Sequence, residues 1–232
     1  MKRLIKYEIE KNNLLKYILG SIFIIIMVSF FMMVAMDSVT HENPPYKMTY
    51  TAIIKSINSF MMEAFIIWCS VLVAKIVVEE YTNKTILILF TYPVKKNKVI
   101  LAKMILIITF GILSTIIGDI IGIVFVSVLD NFLDLLEGEF LMETLFISIE
   151  NIILGIFTVT VFTLVPYILG IYKKSISATI IGGFITSFIV QIFVSQCTGL
   201  LQIFICFFVI SIVLIGVSWK FSTKYVKNIE NL

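Results

Sequence analysis

Apolar residues occur along this chain in six long stretches that are separated by short polar segments. The stretches lie at residues 17–36, 52–78, 100–129, 144–169, 177–195 and 200–218. Each reaches roughly the 20 residues that a helix needs to cross a bilayer, and the second, third and fourth stretches are longer. The pattern predicts an all-α membrane protein in which residues 1–232 form a single transmembrane domain. Its six transmembrane helices are numbered here as spans one to six.

Basic residues alternate between the connections that join these spans. Of the 18 Lys and Arg residues, 16 lie in the N-terminal arm, in the second and fourth connections with their adjoining helix ends, or in the tail. The two exceptions are Lys47 and Lys55. Positive charge is concentrated on the cytoplasmic side of membrane proteins. The bias predicts that both termini are cytoplasmic, which an even number of spans permits. The scarcity of arginine, with abundant Ile and Asn, is typical of an AT-rich genome, so we expect a multi-pass protein of a bacterial cell membrane.

Two polar segments have an amphipathic spacing. Residues 1–16 place Leu4, Ile5, Glu8, Lys11 and Leu15 near one stripe, which predicts an interfacial helix on the cytoplasmic leaflet. A solvated arm is the alternative.

The acidic segment 130–143 carries no lysine and lies on the predicted outer side. It spaces Phe132, Leu135, Leu136 and Phe140 as a helix would. This spacing predicts a short amphipathic helix between spans three and four.

Composition excludes a soluble catalytic domain. The chain is 59% hydrophobic with a mean hydropathy of +1.06, and the predicted spans use nearly all of its length. The net charge of +3 comes from lysines that orient the helices, so nucleic-acid binding is not expected. Cys69, Cys197 and Cys206 form no CxxC pair and are expected to be buried apolar residues. His41 lacks metal-ligating neighbours, and neither a catalytic set nor a metal site is predicted.

Residues 79–103 differ from an ordinary connection. An acidic pair is followed by the apolar run 87–90, then by Pro93 and a basic cluster, and then by a lysine inside the next span. The apolar run is too short to cross a membrane. A short helix with an apolar face at the cytoplasmic surface requires either a protein surface to bind or a covering of lipid, and the sequence favours neither.

This segment resembles the connection between the second and third spans of ABC-2 type transporter permeases. The shared pattern is E-Y-x-N-G-T, an apolar turn, P-[VL]-x-[RK], and a lysine near the next span. Here it is carried by Glu80, Tyr81, Asn83, Thr85, Pro93, Val94, Lys96 and Lys103. Lys84 replaces the family's glycine, which affects the local turn. The six-span layout extends the resemblance over essentially the whole chain.

The resemblance implies that residues 79–99 are a coupling segment that binds a separate ABC ATPase. The residues that it assigns to ATPase coupling are Glu79, Glu80, Tyr81, Asn83, Thr85, Leu87, Phe90, Pro93 and Lys96. Because the chain has no GxxxxGK[ST] sequence, ATP and Mg would bind to the partner and no cofactor to this chain. The length is similar to that of small Gram-positive permeases that export membrane-active peptides such as bacitracin or lantibiotics, or give immunity to them.

Three carboxylates lie within predicted spans, at Glu63, Asp119 and Glu150. A carboxylate at membrane depth costs about 2.5–3.5 kcal/mol on insertion scales, so it should face a cavity or a partner. Asp119 lies between Gly118 and Gly122, a spacing that permits close helix approach. These residues would line a translocation path or a permease–permease contact, or else Asp119 would form an interhelical hydrogen bond with Ser, Thr, Gln or Asn. Glu63 and Glu150 would otherwise reach toward the surface.

The sequence thus favours the permease subunit of an ATP-driven exporter. Its expected partners are an ABC ATPase, a second permease, membrane lipids and a hydrophobic or amphipathic substrate. The alternatives are an ion- or proton-driven carrier with a relay through the three carboxylates, and a membrane anchor or immunity protein without transport. An intramembrane enzyme is disfavoured because no nucleophile, base or metal set occurs at membrane depth.

Overall fold

A computed structural model describes residues 8–11, 15–40, 48–82, 96–133, 136–137, 142–196, 205–218 and 220, which are almost entirely helical. In chain order the elements are α1 (Leu15–Thr40), β1 (Met48–Thr49), α2 (Tyr50–Val73), a π-helical turn (Ala74–Val78), α3 (Glu79–Thr82), α4 (Lys96–Leu133), β2 (Leu136–Glu137), α5 (Met142–Phe162), α6 (Leu164–Lys173), α7 (Ile176–Gln196) and α8 (Ile205–Ser218).

Five helical stretches within this described part are long and apolar enough to cross a membrane. They correspond to the predicted spans one to five: α1, then α2 continued through the π-helical turn and α3, then α4, then α5 with α6, and finally α7. The shorter apolar helix α8 lies within the predicted sixth span. The described residues are therefore almost entirely helical and contain five candidate membrane spans, and the sixth span remains a prediction.

The second span lies at the centre of the bundle. Of its most apolar window, 67% is buried, compared with 22% for the first span. It contacts α1, α4, α5 and α7. Its fully enclosed side chains include Met61, Phe65, Ile66, Leu72 and Ile76. Any movement of this helix therefore acts on the surrounding spans.

The exposed faces of the surrounding helices are strongly apolar, as expected of helices that contact lipid. The first span alone exposes Phe23, Ile26 and Phe30 by more than half. Cys69 is buried in the second span as predicted. Cys206 is exposed on α8, so the prediction that it is buried is wrong; on an apolar helix at the edge of the bundle, a small apolar side chain can face outward. Cys197 lies outside the described residues.

Local chemistry explains where several helices begin and end. The Thr49 side chain accepts a hydrogen bond from Ala52 N at 3.4 Å and caps the second span. The fourth and fifth spans form a helical hairpin through a two-residue turn, in which Lys174 is left-handed with φ 49° and Ser175 Oγ accepts from Ala178 N. The fourth span is interrupted at Thr163, one turn before Pro166, because proline clashes with the carbonyl four residues earlier.

The predicted amphipathic helix within 130–143 is wrong for the residues that are described. α4 continues through Leu133, and Leu136–Glu137 then form a strand parallel to Met48–Thr49. The Asp130 carboxylate explains the change, because its Oδ1 accepts from the Leu136 backbone N–H at 2.8 Å while its Oδ2 accepts from the Tyr50 hydroxyl. These bonds draw the chain back toward the second span.

The two ends of the bundle differ in charge. The end that holds Lys103, Lys75 and Lys173 is called here the lysine end, and the end that holds β1 and β2 the strand end. At the lysine end the second, fourth and fifth spans meet closely, since a Cβ on Gly170 would lie 2.7 Å from Val78 Cγ2 and would also clash with Thr179. This arrangement follows from antiparallel spans joined by short connections.

Candidate coupling and translocation sites

A cluster of charged side chains lies at the lysine end. Lys103 Nζ contacts Glu8 Oε2 at 2.9 Å, Glu80 Oε1 at 2.7 Å and the Ile76 carbonyl at 3.0 Å. Lys11 Nζ also reaches Glu80 Oε1, at 2.7 Å. Glu8, Lys11, Glu80 and Lys103 are called the Lys103 cluster below.

The cluster is deeply buried and balanced in charge. Lys103 and Glu8 are each 2% exposed, Glu80 is 8% exposed, and the Lys11 side chain is 32% exposed. A buried ammonium group is strongly disfavoured unless carboxylates and hydrogen-bond acceptors surround it. Lys103 has two carboxylates and one carbonyl, so its burial is compensated. The two acidic and two basic groups leave no net charge.

The cluster lies at both roots of the predicted coupling segment. Glu80 belongs to α3, which continues the second span, and Lys103 belongs to the second turn of α4. Residues 83–95, which include Asn83, Thr85, Leu87, Phe90 and Pro93, lie outside the described residues. The sequence placed all of 79–99 outside the spans, whereas residues 79–82 and 96–99 are helical continuations of spans two and three.

The acidic pair that begins this segment has two different environments. Glu79 is partly exposed and pairs with Lys75 at 3.2 Å, one helical turn away. Glu80 points into the Lys103 cluster and is not available for the surface contact with an ATPase that the sequence suggested. Tyr81 and Lys96 lie in α3 and at the start of α4. Of the acidic pair, Glu79 is therefore the residue whose side chain is partly exposed.

A second polar site lies inside the bundle, between the second, third and fourth spans. Asn58 Nδ2 donates to Asp119 Oδ2 at 3.1 Å, and Asp119 is 1% exposed. Asp119 Oδ1 has no partner among the described residues. Gly155 of α5 faces this pair, and a Cβ there would lie 2.8 Å from Asn58 Nδ2. This is the interhelical hydrogen bond that was one of the two interpretations of Asp119 from the sequence.

Gly118 and Gly122 lie where the third span packs against the second. A Cβ on Gly118 would lie 2.8 Å from Phe65 Cε2, and one on Gly122 would lie 2.8 Å from Ile57 Cγ2. Both distances are too short for a side chain without movement of the neighbour. The glycines therefore provide the close helix approach that their spacing predicts.

The three carboxylates predicted inside spans do not form one site. Glu63 is half-buried on α2, and Glu150 is exposed on α5. Within the described part of the chain, no hydrogen bond or ion pair joins either of them to Asp119. The hydroxyls of Thr115 and Thr158 bond to carbonyls of their own helices at 2.6 and 2.7 Å. Continuous polar contacts along the bundle are thus not observed in this region.

A groove opens at the strand end between the third and fourth spans. Its volume is about 700 Å³. Its walls are mostly apolar, and polar groups of the second and third spans lie at one end. The polar lining residues are Tyr50, Ser127, Asp130, Asn131 and Ser148, and the apolar ones include Ile120, Val124, Leu145, Ile149 and Ile152. An apolar groove with polar groups at one end suits an amphipathic molecule.

Sequence reasoning missed several residues of these sites. The sequence did not predict Asn58, Gly155 or Tyr50 as site residues. A single amide, glycine or tyrosine in an apolar span has no distinctive spacing. Glu8 and Lys11 gave a signal, since they are spaced i, i+3 and therefore share a helix face. Glu80 and Lys103 carry the opposite charges, and they could have been proposed as the partners of Lys11 and Glu8 on that ground.

Together these features define a multi-pass membrane protein with a charged cluster at the roots of one connection and a groove at the opposite end. The family model described as ABC-2 family transporter protein matches residues 4–191. The chain therefore belongs to the ABC-2 family of transporter proteins, whose permeases are membrane transport components without a nucleotide-binding site of their own.

A curated relative extends this comparison to a second protein. The chain is 27% identical over 179 residues to the uncharacterized protein YcbO of Bacillus subtilis (strain 168), and the match covers 77% of this chain and 78% of that protein. No solved structure matches the chain significantly.

Proposed function

We propose that this chain is the membrane-spanning permease subunit of an ATP-driven exporter. It pairs with a second permease, identical or homologous, and with two copies of a separate ABC ATPase that binds ATP and Mg. Closure of the ATPase pair on ATP moves the permeases between inward-facing and outward-facing states. A hydrophobic or amphipathic substrate, of which a membrane-active peptide is the class favoured here, leaves the cell or the membrane.

The continuity of the second span carries this proposal. Helical structure runs without interruption from Tyr50 to Thr82, through the centre of the bundle and into the coupling segment. A helix transmits displacement along its axis because its backbone hydrogen bonds resist compression and bending. A partner that moves the coupling segment would therefore move the most buried element of the permease.

The groove at the strand end supports an amphipathic substrate. Its apolar walls are open at the side, since Val124 and Ile149 are each more than half exposed. Its polar end lies next to the strands, where the connections of the bundle emerge. A molecule that enters from the bilayer would place its apolar part along α4 and α5 and its polar part near Asp130.

The distribution of lysines supports the orientation. With the lysine end in the cytoplasm, as the positive-inside bias requires, the coupling segment faces a cytoplasmic ATPase and the groove faces outward. The same orientation places both termini in the cytoplasm of a bacterial cell. Resistance to membrane-active peptides is the cellular role that follows.

Co-purification tests the proposal directly. The intact, tagged chain is extracted from its host membrane in mild detergent, and bound proteins are identified and tested for ATP hydrolysis. We expect a stoichiometric ABC ATPase. It should be lost when Leu87–Phe90 are replaced by serines and weakened by Glu79→Gln. Phe132→Ser serves as the matched control, because Phe132 is 81% exposed at the opposite end of the bundle.

Two results would contradict the proposal in different ways. An intact chain that binds no ATPase would exclude ATP-driven export; transport dependent on a proton gradient would then indicate a carrier. In the second case the ATPase binds, but the assembled complex shows no ATP-dependent change in the permease. That result would indicate a membrane anchor or immunity protein without transport.

A further inference from the structure

We infer that the Lys103 cluster holds the N-terminal helical turn (residues 8–11) and both roots of the coupling segment together, so that these three parts move as one unit. Lys103 is then a positioning residue, which determines how much of the partner's movement reaches the second and third spans. This inference rests on the proposed ATP-driven function and adds a named site to it.

A single ammonium group joins segments that are far apart in sequence. Lys103 lies 95 residues from Glu8, 23 from Glu80 and 27 from Ile76. Its three donors are therefore shared among the N-terminal turn, α3 and the π-helical turn of the second span. Removal of this one group would eliminate the polar contacts that Lys103 makes from α4 to all three parts.

The chemistry of the cluster suits fixed positioning better than stability. Replacing a buried ion pair by packed apolar residues is often neutral or stabilising, so a buried pair is weak support for a stabilising role. Hydrogen bonds to charged groups are directional and short, and they resist relative displacement of the atoms that they join. Burial also excludes water, which would otherwise compete for the ammonium group and let the segments slide.

The contact of Lys103 with the Ile76 carbonyl supports the positioning role of the cluster. Ile76 lies in the π-helical turn Ala74–Val78, in which the Glu79 N–H bonds to the Ala74 carbonyl five residues earlier. Such turns widen the helix locally and often occur at functional sites. Lys103 binds the carbonyl of Ile76 and the side chain of Glu80, and so braces this turn from α4. Without the brace, movement of α3 would be absorbed at the turn.

The same region provides an exposed lysine for comparison. Lys75 also lies in the π-helical turn and also pairs with a glutamate, at 3.2 Å from Glu79. Its side chain is 48% exposed, and it contacts the residue one helical turn away on the same helix. The Lys75 pair therefore joins no separate segments, and Lys75→Met removes one lysine charge at the same end without affecting the cluster.

The test measures movement at the end of the bundle opposite to the cluster. Spin labels are placed at Ser38→Cys and Phe132→Cys, two exposed strand-end positions, in a full chain without its native cysteines. The assembled complex with the ATPase is reconstituted in lipid, and the distance between labels is compared without nucleotide and with ATP and vanadate. ATP hydrolysis and ATPase co-purification are measured on the same samples.

We expect Lys103→Met and Glu8→Gln to retain the bound ATPase and its hydrolysis but to lose the nucleotide-dependent change in distance. The fraction of molecules that respond should fall by about tenfold, the scale of mutations along a coupling network. Lys103→Arg, which keeps the charge, should restore most of the response, and Lys75→Met should respond as the unsubstituted chain does. Glu8→Gln preserves the volume but removes the carboxylate charge, which weakens the charge-assisted bond to Lys103, so it remains informative if Lys103→Met fails to fold.

Two outcomes would overturn the inference, and they differ from failure of the proposed function. A normal response of folded Glu8→Gln or Lys103→Met would show that the cluster does not transmit movement. An equal loss in Lys75→Met would show a general charge effect at the lysine end. If the unsubstituted chain binds no ATPase, the proposed function fails, and the inference fails with it.

Discussion

Asn58 and Asp119 form a hydrogen bond of 3.1 Å between the second and third spans. The pair is enclosed at the point where Gly155 lets the fourth span approach both helices. A buried carboxylate normally requires such a donor, because an unsatisfied polar group costs about 1–3 kcal/mol or more. The bond therefore fixes three spans relative to one another, whether or not Asp119 also has a role in transport.

Removal of the amide should destabilise the bundle. Asn58→Leu leaves the Asp119 carboxylate without its donor and should lower the free energy of unfolding by about 1–3 kcal/mol. Asp119→Asn keeps an acceptor oxygen and should cost less than Asn58→Leu. The double variant Asn58→Leu/Asp119→Leu should recover much of the loss, because it leaves no buried polar group unpaired. Denaturant unfolding in detergent measures all three variants.

The same variants distinguish the structural role of Asp119 from a proton relay. The ATP-dependent response of the complex should survive Asp119→Asn, since the asparagine side chain can accept the same hydrogen bond. A folded Asp119→Asn chain that binds its ATPase but no longer responds would contradict the structural interpretation. It would instead assign protonation of Asp119 to the transport cycle.

Packing of glycines on the second span gives a second prediction. Gly118→Val inserts two methyl groups and a Cβ against Phe65 and Met61, and overpacking of this kind costs about 1–3 kcal/mol. Gly216→Val is the control, because within the described residues no atom of another element lies within 4 Å of a Cβ at that position. Equal losses of stability in the two variants would show that helix propensity, rather than the contact with Phe65, sets the effect.

Hydrophobic pattern predicted most of the helical layout, because a membrane-spanning helix must satisfy its backbone hydrogen bonds internally and expose apolar side chains. The described boundaries of the first five spans agree with the pattern to within about four residues at every end. The strands β1 and β2 were missed, because each has only two residues and therefore no periodicity. The hydrogen bonds beside them, which Asp130 accepts from the Tyr50 hydroxyl and the Leu136 N–H, join distant segments.

The candidate sites were only partly predictable, because each depends on contacts between distant segments. The spacing of Gly118 and Gly122 predicted close helix approach, yet it did not identify Phe65 and Ile57 as the neighbours. Glu80 was assigned to ATPase coupling because it belongs to the motif that resembles the family's coupling segment. Its inward orientation depends on Lys103 and on Lys11 from the N-terminal turn, which no local pattern connects to Glu80.

The groove leads to a prediction about cellular resistance. Leu145→Trp should fill part of the groove, because Leu145 is one of its walls and is only partly exposed. If the groove admits a membrane-active peptide, growth of the variant strain in a panel of such peptides should approach that of a strain without the gene. Phe132→Trp, at an exposed position that does not line the groove, should behave as the unsubstituted strain does.

Retention of the ATPase on co-purification would show that Leu145→Trp has not unfolded the chain. The informative peptides are those to which the strain without the gene is sensitive. If the folded variant grows normally in such a peptide, the groove is excluded from the substrate path.

Orientation in the membrane leads to a final prediction, which two exposed positions test. Ser38 lies near the strand end of the first span and Lys98 at the lysine end of the third. In a chain without native cysteines, a membrane-impermeant maleimide should label Ser38→Cys in intact cells and Lys98→Cys only after permeabilisation, because positive charge is retained in the cytoplasm. The reverse pattern would place the coupling segment outside the cell, where no ATP-driven partner is available, and would contradict both the orientation and the proposed export mechanism.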